Sequence, residues 1–393
     1  MNSAMIFTSL AAGAAVLSLP GTLELAHLTL GSLLPARRRE GKEDSPVRLA
    51  VVIPAHNEQE VIGNCLDSVI SANPEQCPFD IFVVADNCTD ATAEAARAKG
   101  VSVIERKDTT RRGKGYALDF AFNYLRRGYD AFVILDADSV VSPGFLGHFR
   151  SAFSRGAQAL QCIYCVANPD ASSATRLMDL SQRAFNQVRT RGRHGWGQSV
   201  GLLGNGFALS RQTLEKVPYL ATSVVEDLEY HLALLRAGIR VELLRESVVA
   251  GLMPTGGKAS STQRARWEGG RFRMIREVAP GLMARVLSGR FDCLEPLAEL
   301  LLLPLAFHTL LIGFAAGAGS GWPRILGLAG LAVLFLHLCA AIGMGNSLKR
   351  DLRAIATVPF YLLWKLTRLP MIVAASLRGA AWVRTSRSPQ GVV

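Results

Sequence analysis

Between residues 48 and 138 four short apolar runs alternate with stretches of helical periodicity, and this alternation restricts the fold more than any other feature. Strands are expected at 48–53, 80–85, 101–105 and 131–135. Helices are expected from about Glu58, along an alanine-rich stretch closed by Gly100, and onward from Gly113-Lys114-Gly115. The first helix places Val61, Ile62, Cys65, Leu66, Val69 and Ile70 on one face, and the third places Tyr116, Phe120 and Tyr124 there. A β-α-β-α-β-α-β order gives an α/β fold, a mostly parallel sheet flanked by helices. Ligands of such sheets bind at the C-terminal strand edge. Carboxylates gather at that edge here: Glu58 after the first strand, Asp86 after the second, Asp136 and Asp138 after the fourth. Two carboxylates one residue apart repel unless a cation lies between them. Hard oxygen donors suit Mg2+ or Mn2+, which commonly carries a diphosphate on its far side. Taken alone, Asp136-Ala137-Asp138 also reads as a solvated turn; convergence at three strand ends favours a site.

The ends of the chain differ from its middle. Of 393 residues 49% are apolar, and the formal net charge is +11. Residues 5–34 are long enough to span a bilayer, though Pro20, Glu24 and His27 interrupt the run. No positive segment precedes it, which argues against a cleaved signal peptide. Arg37, Arg38, Arg39 and Lys42 follow, so the positive-inside rule puts the central region in the cytoplasm and the N-terminus outside. Two further spans are expected at about 296–317 and 325–345, followed by Lys349, Arg350 and Arg353. Residues 354–377 are apolar but broken by Pro359, Lys365, Arg368 and Pro370. They read as a helix on the inner surface, with another span as the alternative. Arg378, Arg384 and Arg387 keep the C-terminus cytoplasmic. The expected organisation is an N-terminal transmembrane helix at 1–36, a cytoplasmic domain at 45–280 with halves 48–140 and 141–280, and a membrane region at 290–393. A multi-pass protein of the inner (plasma) membrane is expected.

The basic charge calls for an acidic partner, a nucleotide diphosphate or anionic membrane lipids. Nucleic acid is not expected, because no zinc-finger spacing or aromatic-interleaved basic repeat is present. The seven cysteines are odd in number and scattered. Cys162 and Cys165 fall three apart on a strand and face opposite sides, so the thiols read as reduced.

Beyond Asp138 the chain reads as a second half-domain. A turn at 142–144 leads into a helix, a strand follows at 158–167, and a helix at 176–187. Residues 189–198 form a basic, glycine-rich loop, suited to closing over an anion or touching lipid head groups, or simply flexible. Asp227 opens a helix at 228–236 closed by Gly238. The helix at 262–275 carries Arg264, Arg266, Arg271, Arg273 and Arg276, with Lys258 before it and Trp267 and Phe272 among them, and reads as interfacial.

The runs Val-Val-Ile-Pro-Ala-His-Asn-Glu, Val-Val-Ala-Asp-Asn-Cys-Thr-Asp, Gly-Lys-Gly-Tyr-Ala-Leu and Asp-Ala-Asp resemble a membrane-bound family 2 glycosyltransferase, over about residues 48–275. Val225-Glu226-Asp227 resembles the Thr-Glu-Asp motif of membrane β-glycan synthases, and Gln263-Arg264-Ala265-Arg266-Trp267 matches their Gln-x-x-Arg-Trp motif. Two positions depart from the pattern: Ala85 stands where many relatives have Asp, and Val225 replaces Thr. The resemblance implies a GT-A fold and inverting transfer from a nucleotide-sugar, a UDP-sugar, to a membrane-associated glycan or lipid-linked acceptor. It implies surface polysaccharide or glycolipid synthesis, with a separate exporter as a possible partner.

The resemblance also implies site roles. Pro54, His56, Glu58, Asp86, Lys114 and Asp136 would bind the nucleotide-sugar, and Asp136 and Asp138 the metal. Asp227 would be the catalytic base. Gly204, Asn205, Glu226, Gln263, Arg266 and Trp267 would serve the acceptor and diphosphate. Two other classes compete with this reading: a non-catalytic nucleotide-sugar sensor, and a nucleotidyltransferase. The first does not need Asp136, Asp138 and Asp227 together; the second needs neither Asp227 nor the Gln-x-x-Arg-Trp helix.

Overall fold

A computed structural model describes residues 3–35, 46–72, 79–221, 223 and 225–377. Arg37, Arg38, Arg39 and Lys42, and Arg378, Arg384 and Arg387, on which the charge argument for topology rests, lie outside the described residues. The described chain divides into a helical unit (residues 3–35, 180–196 and 265–377) and a sheet unit (46–179 and 197–264).

In chain order, α1 is Ser3–Ser32. The sheet unit opens with β1 (Leu49–Ala55), α2 (Ile62–Ser71), β2 (Phe79–Asp86), α3 (Thr92–Arg97), β3 (Ser102–Arg106), α4 (Lys114–Leu125) and β4 (Ala131–Ile134). It continues with β5 (Ser139–Val141), α5 (Phe145–Ser154), β6 (Ala159–Val166) and α6 (Ser173–Gln182). A π-helical turn, Arg183–Val188, joins α6 to α7 (Arg189–Trp196). Then come β7 (Phe207–Ser210), α8 (Arg211–Lys216), α9 (Glu226–Arg236), β8 (Val241–Gly251) and α10 (Gly257–Leu287). The last helices are α11 (Leu294–Leu301), α12 (Leu305–Ala318), α13 (Trp322–Gly343), α14 (Leu348–Ala356) and α15 (Val358–Leu377).

The eight strands form one mixed sheet in the order β3-β2-β1-β4-β7-β6-β8-β5. The four strands expected from the sequence are mutually parallel, with β1 between β2 and β4. β1 lies in mid-sheet and is buried on both faces, which is why it reads as unbroken apolar sequence. Its alternate residues supply two cores: Val51 and Ile53 meet Ile62, Leu66, Phe145 and Phe149, whereas Val52 meets Leu118, Phe122 and Phe132. Cys162 and the partly buried Cys165 likewise join opposite cores, as their spacing requires, and neither is in a disulfide.

Two helix faces differ from expectation. Ile70 is exposed, and α4 turns Phe120 and Tyr124 outward. Its buried face is Ala117, Leu118, Ala121, Phe122 and Leu125. The aromatic stripe at 116, 120 and 124 has valid helical spacing, but the neighbouring stripe of smaller residues lets α4 lie closer to β1 and β2.

The helical unit overturns the reading of 189–198 as a loop: residues 189–196 are helix α7. Its glycines serve close packing. A Cβ on Gly192 would lie 2.2 Å from the Leu28 carbonyl oxygen, and one on Gly195 2.2 Å from that of Gly31. Backbones this near are the signature of small-residue helix contacts. The polar residues that interrupt the apolar run of α1 have partners on neighbouring helices. His27 stacks on Trp196 with ring centroids 5.0 Å apart. Glu24 accepts from Arg193, and Thr29 meets His337 at 2.8 Å. Helices α1, α13 and α15 are each long and apolar enough to cross a membrane. The stretch expected as one span at 296–317 is two helices, α11 and α12, bent by 76° at Leu302-Leu303-Pro304. In α10, Arg271 is turned inward, donating to the Leu302 carbonyl (2.9 Å) and facing Glu299.

Candidate active site

Parallel pairing of β2, β1 and β4 brings their C-terminal ends to one edge, with Ala55 beside Ala85 and Val52 beside Ile134. β7 runs antiparallel to β4 and begins opposite its end, Phe207 against Ile134. The turn before β7, Gly204-Asn205-Gly206, therefore lies beside Asp136. Both glycines have positive φ, +77° and +69°, which disfavours a side chain there.

Lys114 ties this edge together. It is the first residue of α4, after Gly113 at φ +129°, and its Nζ donates to Asp136 Oδ1 at 2.5 Å and to the Gly204 carbonyl. Glu226 and Asp227 form the first turn of α9. Asp227 accepts from the Leu228 N–H at 2.8 Å, and a Cβ on Gly204 would fall 3.1 Å from Asp227 Oδ2. The cap position belongs to Val225, so Asp227 is not the helix cap. Burial opposes the charge on Lys114, but Asp136, Glu226 and Asp227 outweigh it and raise the lysine above its ordinary value. Desolvation, then the neighbouring Asp227 charge, pushes Glu226 up to about 7, with Lys114 acting against the rise. Desolvation also raises Asp227, against the Leu228 N–H and Lys114.

Asn205 belongs to the same edge. Its side chain is 1% exposed and lies under the Asp136 turn, accepting from the Asp136 N–H (3.1 Å) and donating to Ser139 Oγ (2.9 Å). Its amide therefore braces the aspartate turn. Gln161 extends the brace, donating to the Asn205 carbonyl at 2.8 Å and accepting from the Leu203 N–H at 2.9 Å. Sequence reasoning missed Gln161 and Ser139; a polar residue within the buried run of β6 was the available signal for the first.

The ends of β1 and β2 are equally organised. His56 Nδ1 meets the Asp86 carbonyl at 2.7 Å, and the Glu58 N–H donates to Thr92 Oγ1 at 2.8 Å. Pro54, next to the end of β1, is part-buried. Asp86 is buried and paired with Arg106 at 2.6 Å; burial raises its pKa although Arg106 acts against the shift. Arg106 also reaches Asp108 at 3.1 Å. Arg106 was not foreseen, since a lone arginine at a strand end has no distinctive pattern. Asn87, at φ +52°, bridges Asp86 and the Asp108 carbonyl.

Asp138 is 5% exposed, and Asp136 presents a partly open carboxylate. Among the described residues no group of three or more His, Cys, Asp or Glu side chains is placed to hold a metal. Two hard carboxylates from one turn still fit Mg2+ or Mn2+, because these ions take one or two protein carboxylates and complete their shells with water and substrate phosphate. Gln263 and Arg264 are buried on the first turns of α10, with the half-buried Arg266 and the exposed Trp267 following on the same helix. In the helical unit Glu268, next to Trp267, accepts from Lys365.

Residues 46–270 match the family described as glycosyltransferase like family 2. The chain belongs to that family. Among curated relatives, a probable glycosyltransferase of Bacillus subtilis (strain 168), YdaM, is 24% identical over 241 residues, 59% of this chain and 57% of the relative. The 4,4'-diaponeurosporenoate glycosyltransferase of Staphylococcus aureus (strain USA300) is 41% identical over 73 residues, 19% of this chain and 18% of that protein. The matches thus span little more than half of the first relative and less than a fifth of the second. Among solved structures, the mannosyltransferase PcManGT of Pyrobaculum calidifontis superposes with a TM-score of 0.56 at 17% identity, covering 95% of this chain and 98% of that one. At that identity the likeness establishes a shared GT-A-like fold.

Proposed function

We propose that this family 2 glycosyltransferase is an inverting, metal-dependent enzyme of the inner membrane. It moves a sugar from a UDP-sugar to a hydroxyl of a membrane-associated glycan or lipid acceptor, in surface polysaccharide or glycolipid synthesis. The sheet unit lies in the cytoplasm, and α1, α13, α15 and the broken pair α11–α12 supply the membrane segments. The observation that carries this reading is the cluster at the sheet edge, where Lys114 binds Asp136 and the Gly204 carbonyl beside the carboxylates of Glu226 and Asp227. That the Pyrobaculum structure holds GDP-Man and Mn2+ supports a nucleotide-sugar donor and a divalent ion.

In this reading Pro54, His56, Glu58 and Asp86 receive the nucleoside, with Arg106 holding the Asp86 carboxylate in place. Asp136 and Asp138 would hold Mg2+ or Mn2+, which would supply positive charge to the departing diphosphate. Lys114 adds a second cation on the same side. The acceptor oxygen attacks the anomeric carbon as the bond to the diphosphate oxygen breaks and its electron pair leaves with the nucleotide. The acceptor proton passes to the Asp227 carboxylate, and the configuration inverts. A carboxylate with a raised pKa is a better proton acceptor at neutral pH than an ordinary aspartate. Glu226 sets the local charge, and Gln263, Arg266 and Trp267 serve the acceptor and diphosphate.

Membranes containing the protein, incubated with labelled UDP-sugars, should release UDP and label a membrane-bound product. Pyrophosphate release would reassign it as a nucleotidyltransferase, and binding without turnover as a sensor. Asp138→Asn should lose most of the stimulation by Mg2+ or Mn2+; wild-type activity at low divalent concentration would refute the metal assignment.

A further inference from the structure

Among the described residues the helical unit pairs its buried charges, with one exception. Arg193 donates to Glu299 and, at 3.3 Å, to Glu24. Arg271 reaches the Glu299 and Leu302 carbonyls. Arg183 is paired with Asp351, and Lys365 with Glu268. Arg189 is only 6% exposed, yet it makes no hydrogen bond or ion pair among the described residues, and its Nε is buried without a partner. Its guanidinium lies over the Phe185 ring, 3.9 Å from the centroid. The charges that act on it are Arg193 and Arg271, which repel it, and Glu24. An arginine cannot shed its proton. A buried cation with no anion is strongly unfavourable, and a ring face offsets only part of the loss. Arg189 also directly follows the π-helical turn, a backbone form frequent at functional sites.

The same unit contains a cavity of about 390 Å³ walled by Phe272, Leu303, Phe307, Leu369, Ile372 and Val373. Leu303 on its wall adjoins Leu302, whose carbonyl Arg271 holds, so cavity and arginine cluster border the same break between α11 and α12. An apolar chain suits the cavity, and a phosphate suits the unmatched arginine. We propose that Arg189 is the headgroup site for a phosphate-bearing lipid whose hydrocarbon chain occupies this cavity. The proposal rests on the reading of the helical unit as membrane-embedded.

The test uses the full chain in a neutral maltoside detergent, with phosphatidic acid, diacylglycerol of the same acyl chains and inorganic phosphate as probes. Apparent affinity is read by thermal-shift titration. Phosphatidic acid should bind at least about tenfold more tightly than diacylglycerol, with inorganic phosphate weaker than either. Arg189→Met should abolish that preference and leave the diacylglycerol response. Val373→Trp, on the exposed side of the cavity, should weaken both lipids. If Arg189→Met does not fold, Arg189→Lys should reduce the preference about threefold by losing the two-pronged contact. Undiminished preference in a folded Arg189 variant would overturn the headgroup site, and inorganic phosphate binding as tightly as phosphatidic acid would overturn the lipid source. A chain that stays in solution without detergent would refute the membrane reading itself; one that needs detergent but shows no preference refutes only the lipid site.

Discussion

The two units bury charge in opposite ways. In the sheet unit one lysine faces three carboxylates, Asp136, Glu226 and Asp227, all part-exposed at the strand edge. In the helical unit, Arg189 apart, the buried acids and bases are matched: Arg183 with Asp351, Arg193 with Glu24 and Glu299, Lys365 with Glu268. A matched buried pair fixes the position of two helices. An unmatched cluster holds its pKa values away from their ordinary range and leaves charge to be balanced by a ligand. Imbalance, more than burial, separates a site from a strut.

The strongest way to break that contrast is to unmatch a strut. Asp351→Ala leaves the buried Arg183 without its carboxylate and should lower stability by about 3–5 kcal/mol, whereas Arg183→Met with Asp351→Leu should recover most of it. Denaturation in detergent compares them; equal losses in the single and double variants would show that the pair is not structural. At the other pole, Asp227→Asn keeps the shape and should lower transfer by roughly 10²-fold with nucleotide affinity little changed. Parallel binding and turnover assays check this, and near-normal transfer would shift the base to Glu226.

A smaller effect is expected from Gly192→Ala, which sets a methyl against the Leu28 carbonyl and should cost about 1–3 kcal/mol. The last test sharpens the unmatched pole. Because Glu226 is raised to about 7 and Asp227 is also raised, both take protons as pH falls, so transfer should decline below about pH 7 and recover above it. Lys114 holds both values down, so Lys114→Met should move this acid limb to higher pH as well as weaken donor binding. A pH profile of the variant with an unmoved limb would detach the lysine from the carboxylates.

β1 and β4 were legible because strands buried on both faces must be continuously apolar, and the carboxylates beyond their ends follow directly from strand direction. The face of α4 was misread because Tyr116, Phe120 and Tyr124 satisfy helical spacing as well as the smaller stripe that packs. Residues 189–196 were misread as a loop because arginines and glycines suggest solvent when no partner is visible. Glu24, Glu299 and Leu28 make them helical, and each lies more than a hundred residues away in the chain.

Sequence by itself determined the strand-helix alternation, the acidic ends of β1, β2 and β4, and the apolar helices near both termini, since each depends on local periodicity and composition. Only the tertiary structure decided that β7 runs antiparallel to β4, and so brings the Gly204 carbonyl and the Asp136 carboxylate to one lysine. It also decided that Asn205 braces the Asp136 turn and that, among the described residues of the helical unit, Arg189 is a buried charge without a matching acid. Those outcomes depend on which distant groups meet, and a charge is matched or unmatched only by its neighbours in space.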